Sequence, residues 1–528
     1  VNTRNMTETV VQKLKIAGLL GVEGHHGSMD KAIRLDVEQR LKNGYLRCVV
    51  SSSSLEMGID IGSVDLVIQV GSPGSIATAL QRIGRAGHQV GGLPRARFLP
   101  ISPHDLLELV ALQTGILRGS MDILKFPENC LDVLAQFLIG LSIIKEWDID
   151  DAYDLASASW PYRNLPYDDY IEVLDLLEDE RRIWIDWEDN KFGKRGFAQM
   201  IYYTNIGTIA PNNNYLVFTS DGTMVGQLSS SFVSSLRNGD VFLLGGSTYR
   251  VSSIRGTRVN VSPATGYRPT IPSWTGEANS RTHELSQEVL ELLEEVATYA
   301  RLEKDPMTIF TDILGLNRPV AHAVSGFFQE HVATTFQVPS NDLILVEQVE
   351  APLPTYIVTT CRGRAFNLAL GHLFAGIATN DNIIVHELSF DENGFMIKLS
   401  HEVEISLIPE IFKQGNSKDV LQKHMMESQL FAKRFREISS RSMLNPRRIG
   451  AEEVSPKQFQ QRAEQIMQKH RQMDDSVLIR ETMNEILHAD LDMAQLEIFI
   501  NRMDSEDVRI VHRRVKMPSP LGMTLFMS

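Results

Sequence analysis

The octapeptide QRIGRAGH, residues 81–88, carries four side chains that could bind a polyphosphate. They are the amide of Gln81, the guanidinium groups of Arg82 and Arg85, and the imidazole of His88. Phosphoryl transfer requires positive groups placed against the γ-phosphate as charge spreads over its oxygens. If the segment is helical, Gln81, Arg85 and His88 lie near one face, because residues three and four positions apart are neighbours. The octapeptide therefore predicts an anion site, although a solvent-exposed arginine helix would use the same residues.

Charge is distributed unevenly along the chain. The net charge of −14 is unfavourable for a nucleic-acid binder, because Lys and Arg supply the affinity for phosphate. Residues 66–104 nevertheless contain no acidic residue and carry Arg82, Arg85, Arg95 and Arg97. A second basic run is opposed only by Glu437 and consists of Lys433, Arg434, Arg436, Arg441, Arg447 and Arg448. Since the local field decides where a polyanion binds, each run predicts either a nucleic-acid surface or a solvated face.

Length and composition indicate a globular protein of three or four domains. No window of about 18 apolar residues is present, so we expect no membrane span. The three cysteines, Cys48, Cys130 and Cys361, are far apart and form no CxxC pair, which argues against a disulfide framework and a zinc site. We expect a cytoplasmic protein without a metal site of its own.

Two elements that phosphoryl-transfer motors require are absent from the sequence. One is the Gly-rich loop with GK[ST] that cradles phosphates, and the other is an acidic box for Mg²⁺. The nearest match to the loop, FGKRG at 192–196, lacks the first glycine and the hydroxyl after the lysine. The chain also begins with Val1 instead of Met. We therefore interpret it as the C-terminal portion of a longer protein, beginning inside a domain.

Apolar strands alternate with helices over the first hundred residues. The pattern predicts helices at 9–19 and 29–43 and strands at 46–51 and 65–70. Such alternation is typical of a parallel, doubly wound sheet, whose ligands bind at the carboxyl ends of the strands. The segments GSMD, SSSS and GSPG fall at such ends, so we expect them to share one edge.

Residues 127–196 predict a winged helix. Leucines at helical spacing from Leu131 to Leu141 are followed by predicted helices at 151–157 and 168–179 and by predicted strands at 182–187 and 197–203. In this fold the third helix often reads a groove. Here that helix is strongly acidic and would repel phosphate, so we expect the module to pack against the N-terminal α/β unit, with groove binding as the alternative.

The remainder divides into a β-rich part and a mixed part. Short apolar runs separated by turns predict antiparallel β structure over 202–261. Beyond it, the predicted helices are 286–302, 418–437 and 456–471, and the predicted strands are 341–349, 355–360 and 508–515.

The order of the motifs resembles a known class of motor. NTR, HHGS, SSSSLEMGIDI and QRIGRAGH are similar to motifs IV, V and VI of superfamily 2 helicases. HHGS followed by LEMGIDIGSVDLVIQVGSP resembles the Lhr (large helicase-related) family in particular, and CLDVLAQFLIG, IPSWTGEA and MPSPLGM extend the resemblance over essentially the whole chain. The resemblance implies a nucleic-acid-stimulated ATPase that uses ATP and Mg²⁺, both bound mainly by a first lobe outside this sequence. It also implies movement 3′ to 5′ on a single strand, with displacement of paired DNA or RNA at DNA/DNA or RNA/DNA duplex junctions.

The resemblance also implies roles for the residues around the nucleotide. Arg85 is the expected arginine finger, and Gln81 is expected to face the nucleotide and the adjoining lobe. Gly58 and Asp60 are expected near the ribose. Many superfamily 2 proteins have a second finger arginine where this chain has His88, and Arg82 is expected to take part of that role.

Contacts to the strand are carried over in the same way. Thr3, Arg4, His26, Gly27 and Ser52 match positions where the family touches sugar and phosphate, as suits sequence-independent binding. Trp274, between Pro272 and Gly276, is expected to stack on a base, the alternative being a tryptophan that fills the core of the β domain.

The sequence thus predicts four domains of a helicase. They are a second RecA-like lobe with motifs IV to VI at 1–110, a winged helix at 120–200, a β-rich domain at 201–280, and an Lhr-type α+β domain at 281–528. The alternative function is a non-catalytic nucleic-acid-binding subunit without an ATPase lobe of its own.

Overall fold

The computed structural model describes most of the chain. The described residues are 1–56, 64–87, 93–209, 214–229, 232–233, 236, 238–244, 247–255, 258–264, 280–302, 305–403, 417–450, 452–473, 475–505 and 507–527. Among them, no helix is both long enough and apolar enough to cross a membrane.

The N-terminal unit alternates strands and helices as predicted. Its strands pair in parallel, β1 with β2 and β3 with β4. Each helix begins after a Ser, Thr or Asp whose side chain accepts from a backbone N–H of the first turn, the usual N-cap contact. The elements are β1 (Val22–His25), β2 (Cys48–Ser51), β3 (Val67–Val70), β4 (Ala96–Leu99), α1 (Arg4–Ile16), α2 (Lys31–Lys42), α3 (Ile76–Ile83) and α4 (Pro103–Arg118).

The helical interpretation of residues 81–88 is wrong beyond Ile83. Helix α3 ends there, with Gly84 as its C-cap. Arg85 therefore lies in the turn that follows the helix, and Ala86 forms a parallel bridge to Val64. His88 lies outside the described residues. The glycine after Ile83 ends the helix because glycine is a poor helix former that suits C-terminal turns.

Three helices and a small sheet form the predicted winged helix. The helices are α5 (Leu131–Ile144), α6 (Ile149–Ser157) and α7 (Tyr167–Asp179), and the sheet has the order β5-β7-β6, formed by β5 (Trp147–Asp148), β6 (Ile183–Asp186) and β7 (Lys191–Lys194).

The second wing strand lies earlier than the sequence predicted. It occupies 191–194, between the two predicted strands, whereas Ala198–Asn205 forms helix α8. Gly193 permits the strand because a Cβ there would lie 2.7 Å from the ring of Trp184. Ala198 and Ile201 are both buried, and their spacing of three is helical.

The expected packing of the winged helix on the N-terminal unit is also wrong. Its buried residues share one hydrophobic core with the C-terminal part, and no described residue of 1–110 belongs to that core. The acidic helix α7 faces basic residues of the C-terminal part, since Arg480 pairs with Asp169 and Glu172. Lys469 pairs at 2.6 Å with Glu180, which follows the helix. Carboxylates that would repel phosphate thus form interdomain ion pairs.

The β-rich part is a five-stranded sheet with its own core. Its order is β10-β11-β12-β8-β9, and the pair β12 with β8 is parallel, so the prediction of a purely antiparallel sheet is wrong at that pair. The strands are β8 (Asn214–Thr219), β9 (Met224–Ser229), β10 (Val241–Leu244), β11 (Ser247–Arg255) and β12 (Arg258–Pro263).

The C-terminal part is mixed α and β, as predicted. A five-stranded sheet has the order β15-β16-β14-β13-β19, formed by β13 (Leu343–Val349), β14 (Thr355–Thr359), β15 (Val385–Phe390), β16 (Gly394–Leu399) and β19 (Arg509–Val515). A short hairpin pairs β17 (Arg448–Ile449) with β18 (Glu452–Glu453). The α-helices are α9 (His283–Arg301), α10 (Arg318–Thr335), α11 (Arg364–Asn380), α12 (Ser417–Met426), α13 (Gln429–Arg441), α14 (Pro456–Arg471), α15 (Val477–Glu485), α16 (Met493–Asp504) and α17 (Met523–Met527), with π-helical turns at Ile309–Ile313 and Ile486–Asp490.

Two arginines of the second basic run, Arg434 and Arg441, form internal ion pairs. The predicted helix 418–437 is two helices, because Ser428 caps the start of α13. On α13, Arg434 pairs with Asp490 at 2.7 Å, and Arg441 pairs with Asp132 of the winged helix at 2.5 Å. These two arginines are therefore not part of a phosphate-binding surface.

Helices α9 and α10 lie against the N-terminal unit. Leu285 and Val289 of α9 share a core with Ile76 of α3 and Leu107 of α4. The segment that begins the predicted C-terminal domain therefore supports the helix that precedes Arg85.

A buried carboxyl group lies at the interface of the winged helix and α15. Burial, and to a smaller extent the nearby Asp132, raise the pKa of Glu481 to about 8. The folded protein therefore keeps this proton up to about pH 8, whereas the unfolded chain loses it near pH 4.5. Because the folded state binds more protons between these values, its stability falls as the pH rises through that window.

We expect Glu481→Gln to remove this pH dependence, because glutamine keeps the size of the side chain and carries no charge. Thermal melting should be similar for both proteins near pH 5, and the variant should be more stable near pH 8.5 by about 1.4 kcal/mol per unit of pKa shift. Glu291→Gln, which changes an exposed carboxyl, is the control. Identical pH profiles for parent and Glu481→Gln would contradict the assignment.

Candidate nucleic-acid and nucleotide site

The loop after β2 is held by a chain of side-chain hydrogen bonds. The hydroxyl of Ser54 contacts Nδ1 of His25 at 2.7 Å, and Nε2 of His25 contacts Glu38 at 2.9 Å. Burial lowers the pKa of His25, although Glu38 opposes this shift. Ser52, the predicted strand contact, is half-buried, and its N–H donates to the carbonyl of His25 at 3.4 Å. The serine loop is thus positioned by the end of β1.

The HHGS turn differs from the expectation at one residue. His26 is fully buried, and its Nε2 lies 2.7 Å from the carboxylate of Glu8, which is buried as well. Its imidazole is therefore not accessible to a strand in this structure. Gly27 is exposed, and a Cβ there would meet no atom within 4 Å. The exposed backbone of Gly27 remains the predicted contact of this turn.

The start of α1 lies beside the same turn. Thr3 caps the helix by accepting from the N–H of Met6 at 3.1 Å. Arg4 donates to the hydroxyl of Ser28 at 2.5 Å. The segments NTR, HHGS and SSSS therefore meet near the carboxyl ends of β1 and β2. The predicted common edge holds for GSMD and SSSS, which follow this parallel pair, whereas GSPG follows β3 of the other two-stranded sheet.

The β-rich sheet covers one side of this edge. The N–H of Gln227 donates to the carbonyl of Ser28 at 2.7 Å, and Met29 bridges to Gly226. Gly226 has φ +157°, and a Cβ there would lie 2.6 Å from the Ser28 oxygen. Only glycine permits this close approach of the two backbones.

Arg82 has an internal position. It is 9% exposed and donates to Glu56 through Nε and Nη2, both at 3.1 Å. Its Nη1 donates to Asn2 at 2.8 Å and to Gln69 at 2.9 Å. Arg82 therefore joins α3 to the first residues of the chain and to β3. A catalytic role for it stays a prediction.

Gln81 and Arg85 are more exposed to solvent than Arg82. Gln81 is exposed and Arg85 is half-buried. The Nε of Arg85 is buried and has no hydrogen-bond partner among the described residues. The remaining predicted positions, Gly58, Asp60, His88 and Trp274, lie outside the described residues.

Several residues of the site have no signature in the sequence. Asn2, Glu8, Glu38, Glu56 and Gln69 each complete a polar contact with a predicted motif residue or with the histidine beside one. Their partners lie 13 to 80 residues away along the chain. Motif spacing therefore could not reveal them. Among the described residues, no group of three His, Cys, Asp or Glu side chains could hold a metal ion.

Three family models match successive parts of the chain. The helicase conserved C-terminal domain matches residues 1–89, the winged helix domain of the large helicase-related protein matches 114–271, and the DEAD/H associated domain matches 338–522. The chain belongs to the Lhr helicase family. The recognition from motifs is thereby confirmed.

Two Lhr-Core helicases resemble the chain along nearly its whole length. ATP-dependent helicase Lhr-Core protein 2 of Thermococcus barophilus is 35% identical over 99% of this chain, and Lhr-Core of Methanocaldococcus jannaschii is 34% identical over 100%. The chain spans 63% and 62% of the lengths of these two Lhr relatives. The structure of Mycobacterium smegmatis Lhr bound to ssDNA and AMP-PNP has a TM-score of 0.79 and 26% identity, covering 99% of this chain and 65% of that one.

We expect His26→Ala to lower stability, because it removes a fully buried imidazole and its hydrogen bond to Glu8. The loss should be about 1 to 3 kcal/mol in the free energy of unfolding, measured by chemical denaturation. Gly27→Ala, in open space, should melt like the parent. If His26→Ala keeps the parental stability but binds a single strand more weakly, the imidazole contacts the strand instead.

Proposed function

We propose that this chain forms part of an ATP-dependent helicase that moves 3′ to 5′ on a single strand and displaces the paired DNA or RNA. Relatives named ATP-dependent helicases support the general activity. The related Lhr bound to ssDNA and AMP-PNP supports a single strand and ATP as its ligands. The direction of movement and the duplex junctions are inferred from the motif resemblance.

The observation that carries the proposal is the contrast between two arginines of one motif. All three nitrogens of the Arg82 guanidinium donate to Glu56, Asn2 or Gln69, whereas the buried Nε of Arg85 has no partner within the described ranges. A buried donor without a partner is costly. A phosphate oxygen from a nucleotide bound between two lobes would satisfy it, as expected for an arginine finger.

The sequence fits an ATP site that is formed between two lobes better than a site that this chain forms alone. Arg85 would contact the γ-phosphate and Gln81 the adjoining lobe, with Gly58, Asp60 and His88 toward the nucleotide. The 528 residues contain no GK[ST] loop, so a first RecA-like lobe would hold most of the ATP and the Mg²⁺. ATP bound there supplies the phosphoryl group whose transfer drives movement. We therefore expect this chain alone to be inactive as an ATPase.

Strand binding is proposed at the edge where three segments meet. Thr3, Arg4, Gly27 and Ser52 offer hydroxyl, guanidinium and backbone groups, which suit contacts to phosphate and sugar without reading sequence. Trp274 would add stacking on a base.

A second candidate function follows from the missing GK[ST] loop. The chain would then be a nucleic-acid-binding subunit without an ATPase of its own. It would bind single strands as the helicase does, but no added lobe would confer ATP hydrolysis.

We expect Arg85→Ala to lower strand-stimulated ATP turnover by roughly 10³-fold, the scale of arginine-finger losses, in the protein completed with a first lobe. The affinity for a single strand should change little. Arg97→Ala, an exposed arginine of the same acid-free segment, is the matched control, and the isolated chain gives the inactive baseline. Near-normal turnover in Arg85→Ala would refute the finger, and a completed protein without turnover would favour the binding subunit.

We expect Trp274→Ala to separate ATP hydrolysis from strand displacement. Loss of stacking should weaken the base contact by about 1 to 3 kcal/mol while ATP turnover persists. Melting, turnover and displacement are measured on the same variant. A core tryptophan would instead cost about 3 to 5 kcal/mol of stability and abolish both activities together.

A further inference from the structure

A cleft of about 420 Å³ lies where the winged helix meets the C-terminal part. Its walls come from α8 and the residue before it, from the segment between α13 and β17, and from α14. Phe197, Met200 and Ile466 are among its apolar lining residues. The volume lies in the range of pockets that bind small molecules or single groups of a larger ligand.

Hydrogen bonds connect the three walls of the cleft. Oδ1 of Asn205, at the end of α8, accepts from the N–H groups of Arg447 at 2.8 Å and Arg448 at 3.0 Å. Its Nδ2 donates to the carbonyl of Arg448 at 2.9 Å. On the other side, Nδ2 of Asn445 donates to the carbonyl of Phe459 on α14 at 3.1 Å. The walls are therefore held in a defined arrangement.

Asn445 also has a polar atom without a partner. The residue lines the cleft and is 1% exposed, and its Oδ1 is buried with no hydrogen-bond partner among the described residues. The contact of Nδ2 with the carbonyl of Phe459 fixes the orientation of the amide, because an exchange of the two amide atoms would place two oxygens together. A buried acceptor without a donor is costly. A ligand N–H that enters the cleft beside Asn445 would satisfy it.

The two charged groups among the described lining residues are both arginines. Arg182 donates to the carbonyls of Met443 at 3.2 Å and Leu444 at 3.3 Å, and Arg462 is exposed. Neither guanidinium forms an ion pair within the part of the chain that the structure describes. Burial lowers the pKa of Arg182, although Glu180 opposes this shift. The lining is therefore positive and favours an anion.

Further cations lie around the cleft. The winged-helix strand β7 ends at Lys194, and the N–H of the next residue, Arg195, donates to the carbonyl of Arg182 at 3.2 Å. Arg447 and Arg448, the last members of the second basic run, belong to the segment that Asn205 holds. The part of this run that does not form the internal ion pairs of α13 thus lies beside the cleft.

Apolar walls, a free acceptor and positive charges match the three parts of a nucleotide. A base offers flat faces that stack on aromatic and apolar side chains, and each base carries N–H donors on its edge. A phosphate suits guanidinium groups. An aliphatic side chain of a protein partner would fill the apolar walls but would leave Asn445, Arg182 and Arg462 without partners.

We propose that this cleft binds one nucleotide of a single strand, with its base against Phe197, the edge of the base toward Asn445 and its phosphate at Arg182 and Arg462. The inference rests on the proposed strand binding. It adds a second contact region at the junction of the winged helix with the C-terminal part, separate from the edge where NTR, HHGS and SSSS meet.

The first test is Phe197→Ala in the whole chain. Phe197 is 75% exposed, so its truncation should leave the melting temperature unchanged. The affinity for a fluorescent single-stranded oligonucleotide, measured by anisotropy, should fall roughly 5- to 150-fold, which corresponds to the loss of one stacked base. Phe336→Ala is the matched control, because Phe336 is 72% exposed and lies outside the cleft. It should bind the oligonucleotide as the parent does.

The second test is Arg462→Ala, which removes an exposed guanidinium of the cleft. The slope of log affinity against log salt should decrease by about 0.7, the value for one phosphate contact to a single strand. Arg301→Ala, which changes an exposed arginine at the end of α9, should keep the parental slope.

Crosslinking locates the contact directly. An oligonucleotide that contains iodouracil, irradiated on the parent, should crosslink to Phe197 or Met200, as identified by mass spectrometry of the peptides. Thymidine monophosphate at the concentration of the oligonucleotide should leave the crosslink unchanged, because a single nucleotide lacks the neighbouring contacts of a strand. Loss of the crosslink under this competition would overturn the inference in favour of a free nucleotide.

Two further outcomes would contradict the inference in different ways. Parental affinity in Phe197→Ala, or strand binding without a crosslink in the cleft, would overturn it while leaving the proposed strand binding intact, as expected if the cleft receives a protein partner. A parent chain that binds no single strand would overturn the proposed strand binding and this inference with it.

Discussion

The buried ion pair of Arg281 with Glu108 is the interaction on which the arrangement of this chain depends. It holds a buried positive charge against a largely buried negative charge, so each stabilises the other. The pair connects three parts of the chain, namely α4 of the N-terminal unit, α9 through Ser286, and the turn at Asn393. Thr282, the residue after Arg281, donates to the carbonyl of Gly74 just before α3. The position of α3, which precedes Arg85, therefore depends on contacts with the C-terminal part of the chain.

The uneven distribution of charge reconciles the chain's net charge of −14 with membership of a nucleic-acid helicase family, because the local field decides where a polyanion binds. Many of its charges neutralise one another at domain interfaces. On α7, Asp169 and Glu172 pair with Arg480. Asp132 of the winged helix pairs with Arg441. The arginines that remain in the acid-free segment, such as Arg85 and Arg97, are more available to an external anion than the total charge suggests. The winged helix therefore acts here as a packing module for the C-terminal part.

The proposed strand-binding edge combines rigid support with exposed backbone. His25 and His26 are buried, and each is bonded to a glutamate. Their role in the structure is to hold the serine loop and the HHGS turn in place. Gly27 and Ser52 are left at the surface of these turns, where backbone and hydroxyl groups suit contacts to any sequence. The adjoining β-rich sheet approaches the same turn through Gly226.

The sequence by itself determined the family, the parallel pairing of the N-terminal strands, the three helices of the winged helix and the C-terminal elements α9, α14, β13, β14 and β19. These follow from motif order and from hydrophobic periodicity, which are local properties of the chain. Local patterns failed where a short apolar run suited two structures, as at 197–203, and where a glycine ended a helix, as at Gly84. Only the tertiary structure decided which charged groups are internal. The partners of His26, Arg82, Arg281 and Arg434 come from distant parts of the sequence, and burial determines whether such a group faces a partner or a ligand.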